Sequence, residues 1–193
     1  MGLGHRSTLE PDLAYRSLQQ RLDRMPTGAP DTAALRAILR LLFAPEEADL
    51  AAHLPSMIAV SALAERLGRD QDELSETLTG MAGRGLVIDL DHDGERWVAL
   101  APVVIGFFEF TFMRVREDAP MKELAQLFDD YLFNDPNHEF AHSVFRGSVQ
   151  VGRSLVREEA LPEDSPAEVL DWERATSIVA NADAVAVALC PCR

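Results

Sequence analysis

Cysteine is scarce in this chain of 193 residues, which has two, placed close together as Cys190 and Cys192. A pair separated by one residue cannot cross-link distant parts of a fold, so a disulfide-stapled secreted scaffold is excluded. The first ten residues also lack the apolar stretch and the cleavage site of a secretory signal. The sequence therefore predicts a reducing, cytoplasmic location.

Basic residues and long apolar runs are scarce too. Lys and Arg number 18 against 32 Asp and Glu, which gives a formal charge of -14 and a pI of about 4.7. Such a charge repels phosphate backbones and anionic lipid headgroups, so neither nucleic acid nor a membrane is expected as a partner. The longest nearly uncharged stretch, Val98 to Phe108, is also too short to cross a bilayer.

What the chain has in quantity is helical periodicity. The apolar spacing predicts a first helix from Pro11 to Arg24, and a second helix capped by Asp31 or Thr32. Pro45 suits the first turn of a third helix. Two further helices are predicted after caps at Ser61 and Asp70, and Gly68 separates them; this spacing is typical of a helix-turn-helix.

A predicted β-hairpin follows these helices. Its strands are Leu86 to Leu90 and Arg96 to Leu100, joined by a turn over Asp91 to Gly94. Helices followed by a hairpin indicate a winged helix over residues 31–100, preceded by a helix and linker at 1–30.

The remaining chain is predicted to be mostly helical. Phenylalanines crowd the segment Val103 to Arg116, which is predicted to be a helix with Glu109 toward solvent. One of its sides should pack on residues 31–100, and another on the helix of Lys122 to Phe133 or on a second subunit. A helix near residues 140–144, a strand near 154–158 and a turn-rich linker at 162–166 come next. These elements make residues 101–160 a helical segment. Residues 161–193 form a small αβ segment: a helix from Leu170 to Asn181, then a β-like run from Ala184 to Leu189. The predicted fold class is mainly α (α+β).

The predicted recognition helix and wing are acidic. Four carboxylates on residues 70–84 meet one terminal arginine, and four on the hairpin meet Arg96. Because contact with DNA phosphates needs cations, a docking or structural role is favoured over DNA reading.

One pentapeptide, His138 to His142, matches the zinc motif H-E-x-x-H, with Glu139 as the base of a zinc hydrolase. Against this interpretation, Pro136 places the motif in the first turn of a short helix, and no further histidine follows it. The competing interpretation is a solvated helix start with two surface histidines.

Cys190 and Cys192 are the remaining candidates for metal or redox chemistry. On an extended chain their thiolates point to one side, and Pro191 excludes a helix between them. Spacing alone leaves open a metal half-site and a reactive or inert dithiol, because a cluster or a structural zinc needs about four ligands.

Six segments in order give the sequence a family resemblance. It is similar to the N-terminal part of ferredoxin-type 4Fe-4S proteins of bacteria and archaea, in which a winged-helix-like region precedes cysteine-rich cluster-binding segments. The similar segments are Met25 to Pro30, Leu42 to Ala48, Met81 to Leu86, Leu100 to Phe110, Val169 to Ala175 and Ala188 to Arg193.

The resemblance implies electron transfer through iron–sulfur clusters. Cys190 and Cys192 match the family's first cysteine motif and would be the first two ligands of a 4Fe-4S cluster. Further cysteines would follow in a longer polypeptide, so no cluster is expected on this chain alone. The implied partner is a redox protein or a second copy of the chain. An acidic winged-helix transcriptional regulator, redox sensing through the same thiols, is the alternative.

Overall fold

The computed structural model describes residues 11–113, 115–146 and 172–190. This part of the chain is mainly helical, as the sequence predicted. It also contains a small three-stranded antiparallel sheet, in which the sequence predicted the hairpin but not the first strand. The helices are α1 (Pro11–Asp23), α2 (Ala33–Leu42), α3 (Pro45–Ala52), α4 (Val60–Leu67), α5 (Gln71–Gly83), α6 (Phe108–Phe112), α7 (Met121–Leu132), α8 (Glu139–Arg146) and α9 (Trp172–Ala180). The strands are β1 (Ile58–Ala59), β2 (Val87–His92) and β3 (Glu95–Leu100).

Most predicted helix ends are confirmed by their caps. The Thr32 side chain accepts a hydrogen bond from the Leu35 N–H (3.1 Å) at the start of α2, and Asp70 caps α5 in the same way. Gly68 ends α4 in the left-handed conformation (φ 62°). The predicted cap at Ser61 is wrong: α4 already begins at Val60, and the Ser61 hydroxyl donates to Glu95 (3.0 Å) instead.

The sheet has the strand order β1-β3-β2, so β3 lies in the centre and β2 at an edge. The hairpin of β2 and β3 is confirmed, but its turn is shorter than predicted, because pairing continues to His92 and Glu95. Asp93 and Gly94 form the turn with positive φ values of 56° and 78°, which suits the twist of a two-residue hairpin.

The buried apolar side chains of the described helices and strands form one core that extends from α1 to α8. Phe128 of α7 lies at its centre, with ring centroids 5.0 Å from Phe108 and 5.8 Å from Phe112. Phe107 contacts Phe43, next to α2, edge to face at 6.2 Å. The predicted packing of the phenylalanine-rich segment on both neighbours is therefore confirmed.

The predicted continuous helix from Val103 to Arg116 is wrong. A wide turn over Val103–Phe107 comes first, with non-helical backbone angles at three residues, and α6 is confined to Phe108–Phe112. Glu109 is half-buried rather than turned to solvent, because its carboxylate accepts the Gly106 N–H (2.8 Å) and so stabilises this turn.

The helices predicted near residues 140–144 and 170–181 are confirmed as α8 and α9. The predicted run from Ala184 to Leu189 forms no strand, and the strand and linker predicted at 154–158 and 162–166 lie outside the described residues. None of the helices in the described ranges is long and apolar enough to cross a membrane. The division into four segments stays a prediction.

Candidate functional site

The chain after α9, residues 182–190, carries one of the predicted cluster ligands; we call it the C-terminal arm. The Leu189 N–H donates to the Met113 carbonyl (2.9 Å), at the C-terminal end of α6. Cys190, the next residue, is exposed. Cys192 lies outside the described residues. The structure therefore fixes the backbone before one thiol and leaves that residue open to solvent.

An open groove of about 440 Å³ separates the arm from the α5–β2 turn; we call it the arm groove. One wall is formed by Val187 and Ala188 of the arm, and the others come from the body of the fold. The body residues are Ala82, Gly83, Arg84, Gly85, Val87, Ile88, Asp89, Phe110 and Met113. Because β2 is an edge strand, the groove also borders the free edge of the sheet.

Arg84 fixes the turn that forms the groove's far wall. Its guanidinium donates to the Glu47 carboxylate of α3 and to the Leu42 carbonyl of α2 (3.2 Å). The Arg84 carbonyl in turn accepts from Arg116 (3.3 Å), whose side chain is buried and paired with Asp118 (2.6 Å). The contacts of Arg84 therefore hold the turn against α2 and α3.

Gly85 lets the turn come close to α6. It adopts a positive φ of 76°, and a Cβ atom built on it would lie 2.5 Å from the Phe110 Cβ. Glycine is the residue that accepts this conformation without strain and without a side chain to collide. The close approach of Gly85 and Phe110 brings α6, and with it the Met113 anchor, next to β2.

Metal chemistry needs more ligands than the structure assembles here. Within the described ranges, no three His, Cys, Asp or Glu side chains lie together in a way that could hold a metal ion. The whole sequence has two cysteines, whereas a 4Fe-4S cluster takes four. The two cysteines therefore fit half of the ligand set of such a cluster.

The H-E-x-x-H motif is not contained in one helix, as the zinc motif requires. His138 has a positive φ of 50° and precedes α8, which begins at Glu139, so of the two histidines only His142 lies on the helix. His138 and His142 are both exposed. This geometry favours the interpretation as a solvated helix start with two surface histidines.

α5, its capping residue Asp70 and the hairpin together carry eight exposed carboxylates, which we call the acidic face. Arg96 is the hairpin's arginine, and it is bound to Asp89 (2.8 Å) and to the Thr79 hydroxyl (2.9 Å). Its charge is therefore already neutralised. The carboxylates of the acidic face belong to Asp70, Asp72, Glu73, Glu76, Asp89, Asp91, Asp93 and Glu95.

The sequence singled out Cys190 but not its surroundings. Gly85 could be recognised because it is a glycine just after a predicted helix. No sequence pattern marks the Met113 carbonyl or the buried Arg116 as part of the site.

No protein-family model, no curated protein and no solved structure matches this chain.

Proposed function

We propose that this chain is the N-terminal domain of an iron–sulfur electron-transfer protein of the ferredoxin type. In this proposal, Cys190 and Cys192 are the first two ligands of a 4Fe-4S cluster, and two further thiolates come from polypeptide outside these 193 residues. The cluster would supply one-electron transfer when bound. The observation that carries the proposal is the attachment of Leu189 to Met113, which places an exposed cysteine next to the C-terminal end of α6.

The chemistry of the motif supports this assignment. A thiolate is the ligand that iron–sulfur clusters use, and Pro191 keeps the backbone between the two cysteines out of a helix. An exposed position also suits electron transfer, since the cluster then lies near the surface that a partner protein contacts. The cysteine content agrees with a reducing, cytoplasmic location.

A second part of the proposal is that residues 31–100 are a winged-helix-like module for docking a protein. The element order β1, α4, α5, β2, β3, with β3 central, supports a winged helix. The acidic face covers both the helix and the hairpin that such modules use for recognition. It favours a basic protein surface over nucleic acid, because carboxylates repel phosphates and steer cationic partners.

Anaerobic reconstitution with iron and sulfide tests the cluster assignment. We expect thiolate-to-iron absorbance in the visible range with fewer than about four irons per monomer, because two thiolates fill half of the positions of a cubane. The Cys190→Ser, Cys192→Ser double variant should lose this absorbance.

The His138→Ala, His142→Ala double variant is the matched control, because it removes two imidazoles and leaves both thiols. It should keep the iron and the absorbance of the parent. Equal absorbance in the parent and the cysteine variant would exclude the thiols as ligands. About four irons per monomer, stable on gel filtration, would instead show that the ligand set within this chain is complete.

Fluorescence anisotropy with labelled duplex DNA separates the docking module from a transcriptional regulator. We expect weak binding without sequence preference at physiological salt, since the acidic face offers no free cations to the phosphates. A Kd near the roughly 10⁻⁸ M of specific complexes would overturn the docking interpretation in favour of the regulator.

A further inference from the structure

A small cavity of about 190 Å³ lies between the C-terminal half of α1 and the end of α3, away from the arm groove. Two guanidiniums, an imidazole, a hydroxyl and an amide border it, and no carboxylate of a described residue does. The lining residues are Ser17, Gln20, Arg21, Arg24, Ala52 and His53. In a chain with a formal charge of -14, this is an unusual concentration of hydrogen-bond donors and positive charge.

The arginines of this cavity differ from most others in the structure. Six arginines of the described ranges have a carboxylate partner within 4 Å. Arg21 and Arg24 have no such partner among the described residues. Their charges therefore lack the neutralisation that the abundant acidic side chains provide elsewhere.

One hydrogen bond orients the Arg21 side chain, and another orients the His53 ring. Arg21 donates its Nε–H to the Leu54 carbonyl (2.6 Å), which leaves its two terminal NH₂ groups for another acceptor. The His53 Nδ1 lies 2.8 Å from the Asp49 carbonyl, which fixes the ring. Partial burial and the nearby charge of Arg24 lower the pKa of Arg21, so an anion at this position would relieve an unfavourable charge.

We propose that this cavity binds one phosphate-type oxyanion. The terminal NH₂ groups of Arg21 and the guanidinium of Arg24 would bind its oxygens, with Ser17 and Gln20 as neutral donors. Arginine is suited to this role because its planar fork of N–H groups matches the oxygens of phosphate. The volume admits a single phosphate group, either as the free ion or as the end of a phosphate monoester.

Calorimetric titration at fixed ionic strength tests the site with two probes, inorganic phosphate and glycerol 3-phosphate. Arg24→Gln is the informative variant, because Arg24 is exposed and makes no ion pair with a described residue. We expect both affinities to fall about tenfold in this variant, which is the effect of losing one charge-assisted hydrogen bond. Arg69→Gln, which removes an arginine from α4–α5, is the control and should bind as the parent does.

The outcomes distinguish two sources of the anion. They also distinguish anion binding from a purely structural role of Arg24. Tighter binding of inorganic phosphate assigns the site to the free ion, and tighter binding of the monoester assigns it to a larger phosphorylated ligand. Arg24 follows the last turn of α1, where a cation also stabilises the helix dipole. A lower Tm of Arg24→Gln with unchanged affinity for both probes would overturn the proposal in favour of that structural role, and so would equal affinities in all three proteins.

Discussion

Two regions of the molecule differ in how far their apolar side chains are buried. One is the body of the fold, from α1 to α8, and the other is the segment of α9 and the arm. In the body, Leu18 and Phe107 are fully buried, whereas Trp172 is 81% exposed and Val187 is 99% exposed. Burial of apolar area is the main favourable contribution to folding. The difference teaches that the body supplies the stability. Among the described residues, the hydrogen bond between Leu189 and Met113 attaches the segment that presents Cys190 to the body.

The largest expected effect comes from truncating the centre of the body. Phe128→Ala removes a ring that is 1% exposed and contacts Phe107, Phe108 and Phe112, so it should lower the free energy of unfolding by about 3 to 5 kcal/mol. Val187→Ala is the matched control in the arm and should leave this free energy unchanged. Urea unfolding followed by circular dichroism measures both. A comparable loss in Val187→Ala would show that the arm is packed after all and would break the comparison.

Much of the body could be predicted from the sequence, because its helices carry local signals. Thr32, Gly68 and Asp70 mark helix ends through caps that depend on near neighbours in the chain. The wide turn before α6 could not be predicted in this way. It depends on the Glu109 carboxylate reaching back to Gly106 and on the burial of Phe107, which tertiary packing decides.

The candidate site was less predictable than the fold. Cys190 stands out by its residue type, but its anchor is a backbone carbonyl, and every residue has one. The β-like run before it was expected to form a strand, yet high β-propensity does not create a partner strand. Its exposed valines show how little an apolar pattern alone says about burial. The cationic cavity joins α1 to the end of α3, a juxtaposition that only the packing of the two helices produces.

A smaller effect is expected at the boundary between body and arm. Gly85→Ala combines a positive φ with a collision against the Phe110 Cβ, whereas Gly94→Ala places its methyl group in open space at nearly the same φ. Both variants carry the backbone strain of about 1 to 2 kcal/mol. Gly85→Ala should lower the free energy of unfolding by about 1 to 3 kcal/mol more than Gly94→Ala does, because α6 must shift.

Thermal melts of the two glycine variants measure this difference. If Gly85→Ala melts at the same temperature as Gly94→Ala, then α6 can shift away from the new methyl group without loss of stability. The wall of the arm groove would then be easily deformed. A larger loss of stability in Gly85→Ala would strengthen the comparison of body and arm. It would show that this wall of the arm groove is packed as the body is.

The smallest effect is confined to alkaline pH and again reports on the body, which holds both tyrosines of the chain. Burial raises the pKa of Tyr131 and, less strongly, that of Tyr15, whose hydroxyl donates to the Phe43 carbonyl (2.9 Å). An unfolded tyrosine ionises near pH 10, so above about pH 10 the unfolded chain loses protons that the folded chain keeps. The stability contribution of each phenol is therefore complete below pH 10 and falls as the pH rises toward the raised pKa values of the folded state.

Urea unfolding at a series of alkaline pH values should show this decline, and the Tyr15→Phe, Tyr131→Phe double variant should show much less of it. An equal decline in both proteins would mean that water reaches the phenols in the folded protein. The body would then be less well packed than the comparison with the arm assumes.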